Sequence, residues 1–530
     1  MKKHIIVRLG MVPLILLALV LMPLSGAWGA ELAKEQTARL AMGVADIGTL
    51  DPHFATKIGE YPVVTMVYEA LLRHPPGKID IEKIQPSLAE RWEVAEDKLT
   101  WTFHLRKGVQ WHGGYGEFTA EDVKFSLQRV LDPDVGSPAR KRLPTMESIT
   151  IVDPYTIQIK TQNILPDLPA VLVNEMPGYV MCKKAVQKLG KDIKYQPIGT
   201  GPFMFSSYKP RESITLAAND AYWRGKPTLR KVLVSYIPDH ATRELALRNG
   251  EVDAINIPAK QEGIDRLRKT GFEVDITSPA NMFVLHFNLT QKPLDDIRVR
   301  QALCHAIDRQ TLINYLGKDV AKPEVSPLPS GYVGHTDDVT RYPYNPEKAK
   351  TLLAEAGLAK GFEMSMNISN SNIYLPPMQV VQEMWKKIGV TLNLNVVDHP
   401  TYHKLIRKDA NPVVIYGAYR YPLTGNIYLN QFYHSDSIVG KPTAIVNFSH
   451  YGEALPGVDQ YIDDARYELD VAKQKRLWIK AQQQIKADAV SFPLFTRAYA
   501  MAKAKYLDLG FEQESFSFYR ITESARILKH

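Results

Sequence analysis

The sequence predicts an α/β protein of two lobes, and three observations predict it. At 530 residues the chain is too long for one ordinary hydrophobic core. Short strand patterns of period two alternate with helical stripes of ten or so residues, the mark of α/β layers. That alternation runs once before Pro279 and again after it, so two such units are expected. Apolar and charged fractions of 45% and 23% are those of a soluble globular chain.

Lys2, Lys3 and Arg8 precede an apolar run over residues 12–24 and the small-residue stretch Ser25-Gly26-Ala27-Trp28-Gly29-Ala30. This is the pattern of a secretory signal peptide over residues 1–29, with Ala27 and Gly29 at the positions read for cleavage. The run is shorter than the ~20 apolar residues of a spanning helix. No cysteine follows it to carry a lipid, so a free periplasmic protein is expected. Without the leader the chain holds 62 basic and 57 acidic residues, a net charge near +5. No basic run interleaved with aromatics accompanies that charge, and nucleic acid is not an expected partner. Cys182 and Cys304 lie in unrelated regions, and two unbridged thiols are expected even in an oxidising compartment.

Residues 38–44 read as a strand entering the loop Asp46-Ile47-Gly48-Thr49-Leu50-Asp51-Pro52, punctuated by Gly and Pro. A helix is expected over 63–72. Leu99, Trp101, Phe103 and Leu105 alternate with Thr100, Thr102, His104 and Arg106, a strand with one wet face that should pair with the segment around Trp92 and Val94. Thr119 and Asp122 form a capping box for a helix with the stripe Val123, Leu127, Val130 and Leu131, closed by Asp132-Pro133. Val232, Val234 and Tyr236 mark a strand, a helix runs from Thr242 to Asn249-Gly250, and residues 252–257 give another short strand.

Past Pro279, Met282, Val284 and His286 alternate with Phe283, Leu285 and Phe287, a strand apolar on both faces and suited to a sheet centre. A helix over 295–307 carries Val299, Leu303, Ala306 and Ile307. Asn345 and Pro346 start the next, and Gly357 stops it. A stripe of Val381, Met384, Trp385 and Ile388 runs from Pro377 to Gly389, followed by a strand over 390–396. A last amphipathic helix over 470–487 precedes Phe492-Pro493-Leu494-Phe495.

The segments around Trp92, Trp101 and Val123 are followed in order by Pro197-Ile198-Gly199-Thr200-Gly201-Pro202-Phe203, Asn219-Asp220-Ala221-Tyr222-Trp223, Asn249-Gly250-Glu251-Val252-Asp253, Ile297-Arg298-Val299-Arg300-Gln301-Ala302-Leu303 and Asn345-Pro346-Glu347-Lys348-Ala349. Together they resemble the family 5 extracellular solute-binding proteins of ABC importers, the dipeptide and oligopeptide receptor group. The resemblance implies a periplasmic binding protein-like α/β fold of class II, cluster C. Its first lobe would use residues 30–75, 196–280 and 493–530, with a subdomain inserted over 76–195, and its second lobe residues 281–492. Two hinge crossings, near 280 and 493, would join them. It further implies a monomer that captures a small-molecule solute and delivers it to ABC permease subunits, without a cofactor. Ile47, Gly48 and Thr49 would lie at the cleft mouth, and Asn281 at the crossing into the second lobe.

The residues themselves offer no catalytic motif: no Gly-x-Ser-x-Gly elbow, no phosphate loop and no His-Glu-x-x-His occurs, so an enzyme is not expected. His399 and His403 have the spacing of a two-histidine metal face, but Pro400 at a helix start favours the reading as exposed histidines, and no metal site is assigned. Trp111 and His112, beside Gly113-Gly114, read as scaffold.

The informative stretch is Tyr416-Gly417-Ala418-Tyr419-Arg420-Tyr421-Pro422-Leu423. In the family this place holds a glycine-aromatic loop and then a run with aspartates, one of which takes a peptide's free amine. Arg420 and Leu423 stand where those acids would fall. Asn370 lies in a loop where dipeptide receptors carry an arginine for the ligand's carboxylate. A buried amine without a carboxylate is costly, so the expected solute is a small anionic or aromatic organic molecule, not a classical dipeptide. Arg420 amid tyrosines suits a carboxylate, phosphate, sulfonate or planar ring. Peptide import, metal-chelate import and a secreted hydrolase are the rival readings.

Overall fold

The computed structural model describes residues 31–57, 59–173, 176–441, 446–515 and 521–530, and the expected leader lies outside them. A nine-stranded sheet runs through both lobes in the order Val413–Ala418, Glu273–Phe287, Ser491–Lys503, Ala254–Ile257, Thr37–Met42, Lys231–Tyr236, Ser213–Ala218, Phe203–Lys209, with Ala321–Pro323 also paired to Ser491–Lys503. Thr37–Met42 lies parallel to both of its neighbours, so the chain leaves these three strands at one common edge.

Two long strands form the hinge. Glu273–Phe287 and Ser491–Lys503 pair antiparallel from Glu273 opposite Lys503 to His286 opposite Ser491, with a break in register between Thr277 and Asn281. On one side of the break Ser491–Lys503 pairs with Ala254–Ile257 of the first lobe. On the other side the two strands pair with Val413–Ala418 and Ala321–Pro323 of the second. Both crossings therefore share one ladder. Met282 to Phe287 are at most 1% exposed, as the two-sided apolar pattern predicts.

The inserted subdomain is a four-stranded antiparallel sheet in the order Ala89–Val94, Thr100–Leu105, Thr156–Thr161, Met146–Asp153. The Ala120–Leu131 helix carries the predicted capping box of Thr119 and Asp122. Asp122 also accepts from Trp111 Nε1 at 3.2 Å, and His112 Nε2 lies 2.9 Å from the Gly201 carbonyl, so both residues serve the scaffold.

The helix expected over 63–72 is shorter, Tyr61–Val67. The Gly201 N–H takes the Val67 carbonyl at 2.9 Å, and Tyr68 turns extended. A Cβ on Gly199 would stand 1.8 Å from that carbonyl, which is why a glycine is needed there. Glu69, just beyond, is buried and accepts from Thr200 Oγ1 at 2.9 Å, Tyr222 OH at 2.9 Å and Trp223 Nε1 at 2.8 Å. Two of the sequence motifs thus converge on one carboxylate, whose pKa burial raises against those donors.

In the second lobe Ile297–His305, Pro346–Glu355 and Val471–Ala487 take Asp296, Asn345 and Asp470 as N-caps. Leu375–Lys386 begins two residues ahead of Pro377. Val390–Val397 pairs parallel with Phe362–Ser369, a strand the sequence reading did not assign although Phe362, Met364, Met366 and Ile368 alternate in it. Cys182 and Cys304 are buried and unbridged.

Candidate functional site

On the first lobe, the loop after Thr37–Met42 is organised by the buried carboxylate of Glu60. Its Oε1 accepts from the N–H of Gly48 at 2.8 Å and of Thr49 at 3.2 Å, and its Oε2 from those of Thr56 and Lys57 at 2.8 and 2.9 Å. The Gly48 and Thr49 amides are thereby spent within the loop. The Ile47 N–H is bound by Asp46, whose carboxylate also accepts from Tyr208 OH at 2.7 Å.

On the second lobe, Val413–Ala418 presents Tyr416 and Gly417. Tyr416 is buried among Phe432, Phe448 and His403. A Cβ on Gly417 would lie 2.6 Å from the Phe283 ring, and its N–H donates to Tyr374 OH at 3.3 Å. Beyond the strand, the Arg420 backbone is clamped by Tyr332, whose hydroxyl donates to the Arg420 carbonyl at 2.8 Å and accepts from its N–H at 2.9 Å.

The Arg420 side chain folds back onto its own lobe. Nε donates to Gln431 Oε1, Nη1 donates to the Tyr419 carbonyl at 3.0 Å, and the guanidinium lies 5.1 Å from the centre of the Phe432 ring. Tyr421 reaches the other way. Its hydroxyl donates to the Ala170 carbonyl at 2.8 Å and lies 2.8 Å from His74 Nε2, both on the first lobe. Nearby, Asn426 Nδ2 contacts Asp167 Oδ2 at 3.5 Å, and Lys475 pairs with Glu82 at 2.6 Å. Burial raises the Asp167 pKa to about 6.

Asn370 is tied through its N–H to the Val397 carbonyl at 2.8 Å. Beside it, Ser369 Oγ contacts His399 Nδ1 at 2.8 Å, and His399 Nε2 lies 3.1 Å from His403 Nε2. These imidazoles sit half-buried against Tyr374, not in open solvent, and burial pushes the His403 pKa down to about 4. Among the described residues no group of three or more His, Cys, Asp or Glu side chains converges on a metal-sized space.

Asn281 stands at the register break of the hinge and donates to Tyr499 OH at 3.3 Å. The structure thus puts Tyr416 and Gly417 on one strand of the second lobe and Asn370 at the end of another, puts Tyr419 to Tyr421 on the turn that meets the first lobe, and keeps Ile47, Gly48 and Thr49 on the loop of that first lobe. Sequence reasoning missed His74, Asp167 and Ala170, and it passed over Arg497, which pairs opposite Asn281 in the hinge ladder. An arginine inside the mostly apolar run Phe492-Pro493-Leu494-Phe495-Thr496-Arg497-Ala498 was the available signal for the last.

The family description "Bacterial extracellular solute-binding proteins, family 5 Middle" matches residues 83–439. Heme-binding protein A of Haemophilus influenzae is 33% identical over 377 residues, 66% of this chain and 68% of that protein. Di/tripeptide-binding protein 1 of Pseudomonas aeruginosa is 30% identical over 444 residues, 78% of this chain and 80% of its own length. Among solved structures, MoaA from A. tumefaciens R10 in complex with mannopinic acid is 38% identical and superposes with a TM-score of 0.75, over 93% of this chain and 100% of that one.

Proposed function

Because the chain belongs to the bacterial extracellular solute-binding proteins of family 5, we propose that it captures a small anionic organic solute between its lobes and hands it unaltered to an ABC permease. Relatives of this family are binding proteins, and the reading needs no covalent step. The chain would act as a monomer, free in the periplasm once residues 1–29 are removed, with its lobes divided as the resemblance implies. Closure follows from contacts that a solute can make with both lobes only when they meet, so its differential affinity for the closed form drives the hinge. The closed form is then what the permease meets.

One observation carries the choice of solute. The turn of residues 416–426 that meets the first lobe holds a cation and no carboxylate, while Asp167, the acid set against it, faces Asn426. The turn itself offers a free amine no carboxylate, and Asp167 is already engaged by Asn426. The likeness to a receptor solved with mannopinic acid supports the same side. Peptide import is the second reading, favoured by the relative named for di- and tripeptides.

Thermal-shift titration of the ligand-free protein with mannopinic acid, glutathione, Gly-Leu and N-acetyl-Gly-Leu separates the two. The proposal expects stabilisation by acids whether or not they carry a free amine. A response confined to Gly-Leu and abolished by its acetylation would make the protein a peptide receptor.

A further inference from the structure

Arg497 lies at the register break of the hinge ladder, directly opposite Asn281. Its Nη2 makes one long hydrogen bond, 3.4 Å to the Ala259 carbonyl, and no carboxylate pairs with it among the described residues. Three other buried or half-buried arginines carry fuller sets of partners. Arg243 donates to the carbonyls of Ile237, Pro238 and Asn256. Arg300 donates to those of Leu294, Asp295 and Asp488. Arg129 has Asp51 at 2.6 Å. Arg497 is a partly desolvated cation whose fork is mostly unused.

Its place gives that open fork a use. Ala259 follows Ala254–Ile257, which runs parallel to Thr37–Met42, so the guanidinium sits where the parallel strands of the first lobe end and their loops begin. Ligands of open α/β sheets bind at that edge. Residues directly opposite in an antiparallel pair share a face, and the Asn281 amide reaches Tyr499 OH, so an amide, a guanidinium and a phenol gather at the hinge. Resting on the anionic solute proposed above, we propose that Arg497 is the cationic anchor for that solute's acid group, with Asn281 beside it, and that Arg420 is not. A guanidinium fork left open matches a carboxylate in two-point contact, whereas Arg420 has already spent Nε and Nη1 within its own lobe.

The test compares Arg497→Met, Arg497→Lys and Arg420→Met with the wild type, ligand-free and titrated with mannopinic acid. Arg497→Met should melt no lower than the wild type when ligand-free, because it removes an unpaired, partly buried charge. It should also lose about 10- to 150-fold in affinity, the scale of hydrogen bonds to a charged group. Lys should recover part of that loss, and Arg420→Met should cost less than Arg497→Met. Equal binding by wild type and Arg497→Met overturns the anchor and leaves the solute class standing. So does a ligand-free Arg497→Met that melts several degrees lower, since the guanidinium would then be a structural donor. A wild type that binds no acid at all overturns the solute class, and the anchor with it.

Discussion

Replacing Tyr421 by Phe isolates the contribution of one hydroxyl to closure. The ring stays, and with it the edge-on contact to His74 at 5.8 Å between ring centres. What leaves are the bond to the Ala170 carbonyl and the contact with His74 Nε2, each 2.8 Å long and each made across the lobes. Two neutral hydrogen bonds at ~0.5–1.5 kcal/mol each set the loss at about 1–3 kcal/mol, roughly 5- to 150-fold in the closed-to-open ratio. The upper end applies if the partners stay dry and unpaired in the closed variant, and the lower end if water replaces the hydroxyl. Spin labels on engineered surface cysteines, one per lobe, read the ratio as a distance distribution, and the native thiols do not interfere because both are buried. The variant should shift weight to the longer distance and bind mannopinic acid more weakly by the same factor. Identical distributions and identical affinity would show that the contact carries no share of closure.

Three further outcomes follow from buried ionisable groups. Glu69→Ala should lower stability by about 3–5 kcal/mol, because it strands three buried donors and opens a cavity, and denaturant unfolding measures it. Lys486 is buried between the rings of Tyr342 and Phe492, and burial lowers its pKa to about 7, so a stability cost stands in full below pH 7 and is relieved as pH rises toward 10.5. Lys486→Met should therefore raise the melting temperature most at pH 6 and least above pH 9, and a pH-independent gain would contradict the assignment. Asp167, raised to about 6 against an ordinary 3.8, favours the closed form in full below pH 3.8 and loses that advantage as pH climbs through 6. Asp167→Asn should bind more tightly than the wild type at pH 7, by at most about 3 kcal/mol, and calorimetry at pH 5 and pH 7 should show its affinity no longer falling between them.

The elements legible in the sequence are those whose cause is local. The Thr100–Leu105 strand declares itself by alternation, and the Ala120–Leu131 helix by a capping box that needs only Thr119 and Asp122. The two-sided apolar run from Met282 announces a sheet centre before any neighbour is known. What stays illegible depends on distant partners. The helix over 63–72 ends early because Gly201 captures the Val67 carbonyl, and nothing within that segment says so. Glu69 finds its donors 131 to 154 residues away. The fate of Arg420 turned on Gln431 and Tyr332, and the tyrosines beside it in sequence decided less than these two did.

The same distinction bears on how selectivity and motion can be joined. A charged side chain on a surface turn can recognise an acid without sensing the lobes, because its contacts move with the turn. A guanidinium at a register break has no such independence. Arg497 is flanked by Asn281 at the start of the second lobe's half of the ladder and by the Ala259 carbonyl at the edge of the first. Any bend of the hinge changes the distance between those two groups, and so changes how well they and the cation can surround one carboxylate. An acid that completes the fork therefore binds one hinge angle better than the others, which is the differential affinity that closure requires. A receptor whose recognising cation lies in its hinge needs no separate device to report that the solute has arrived.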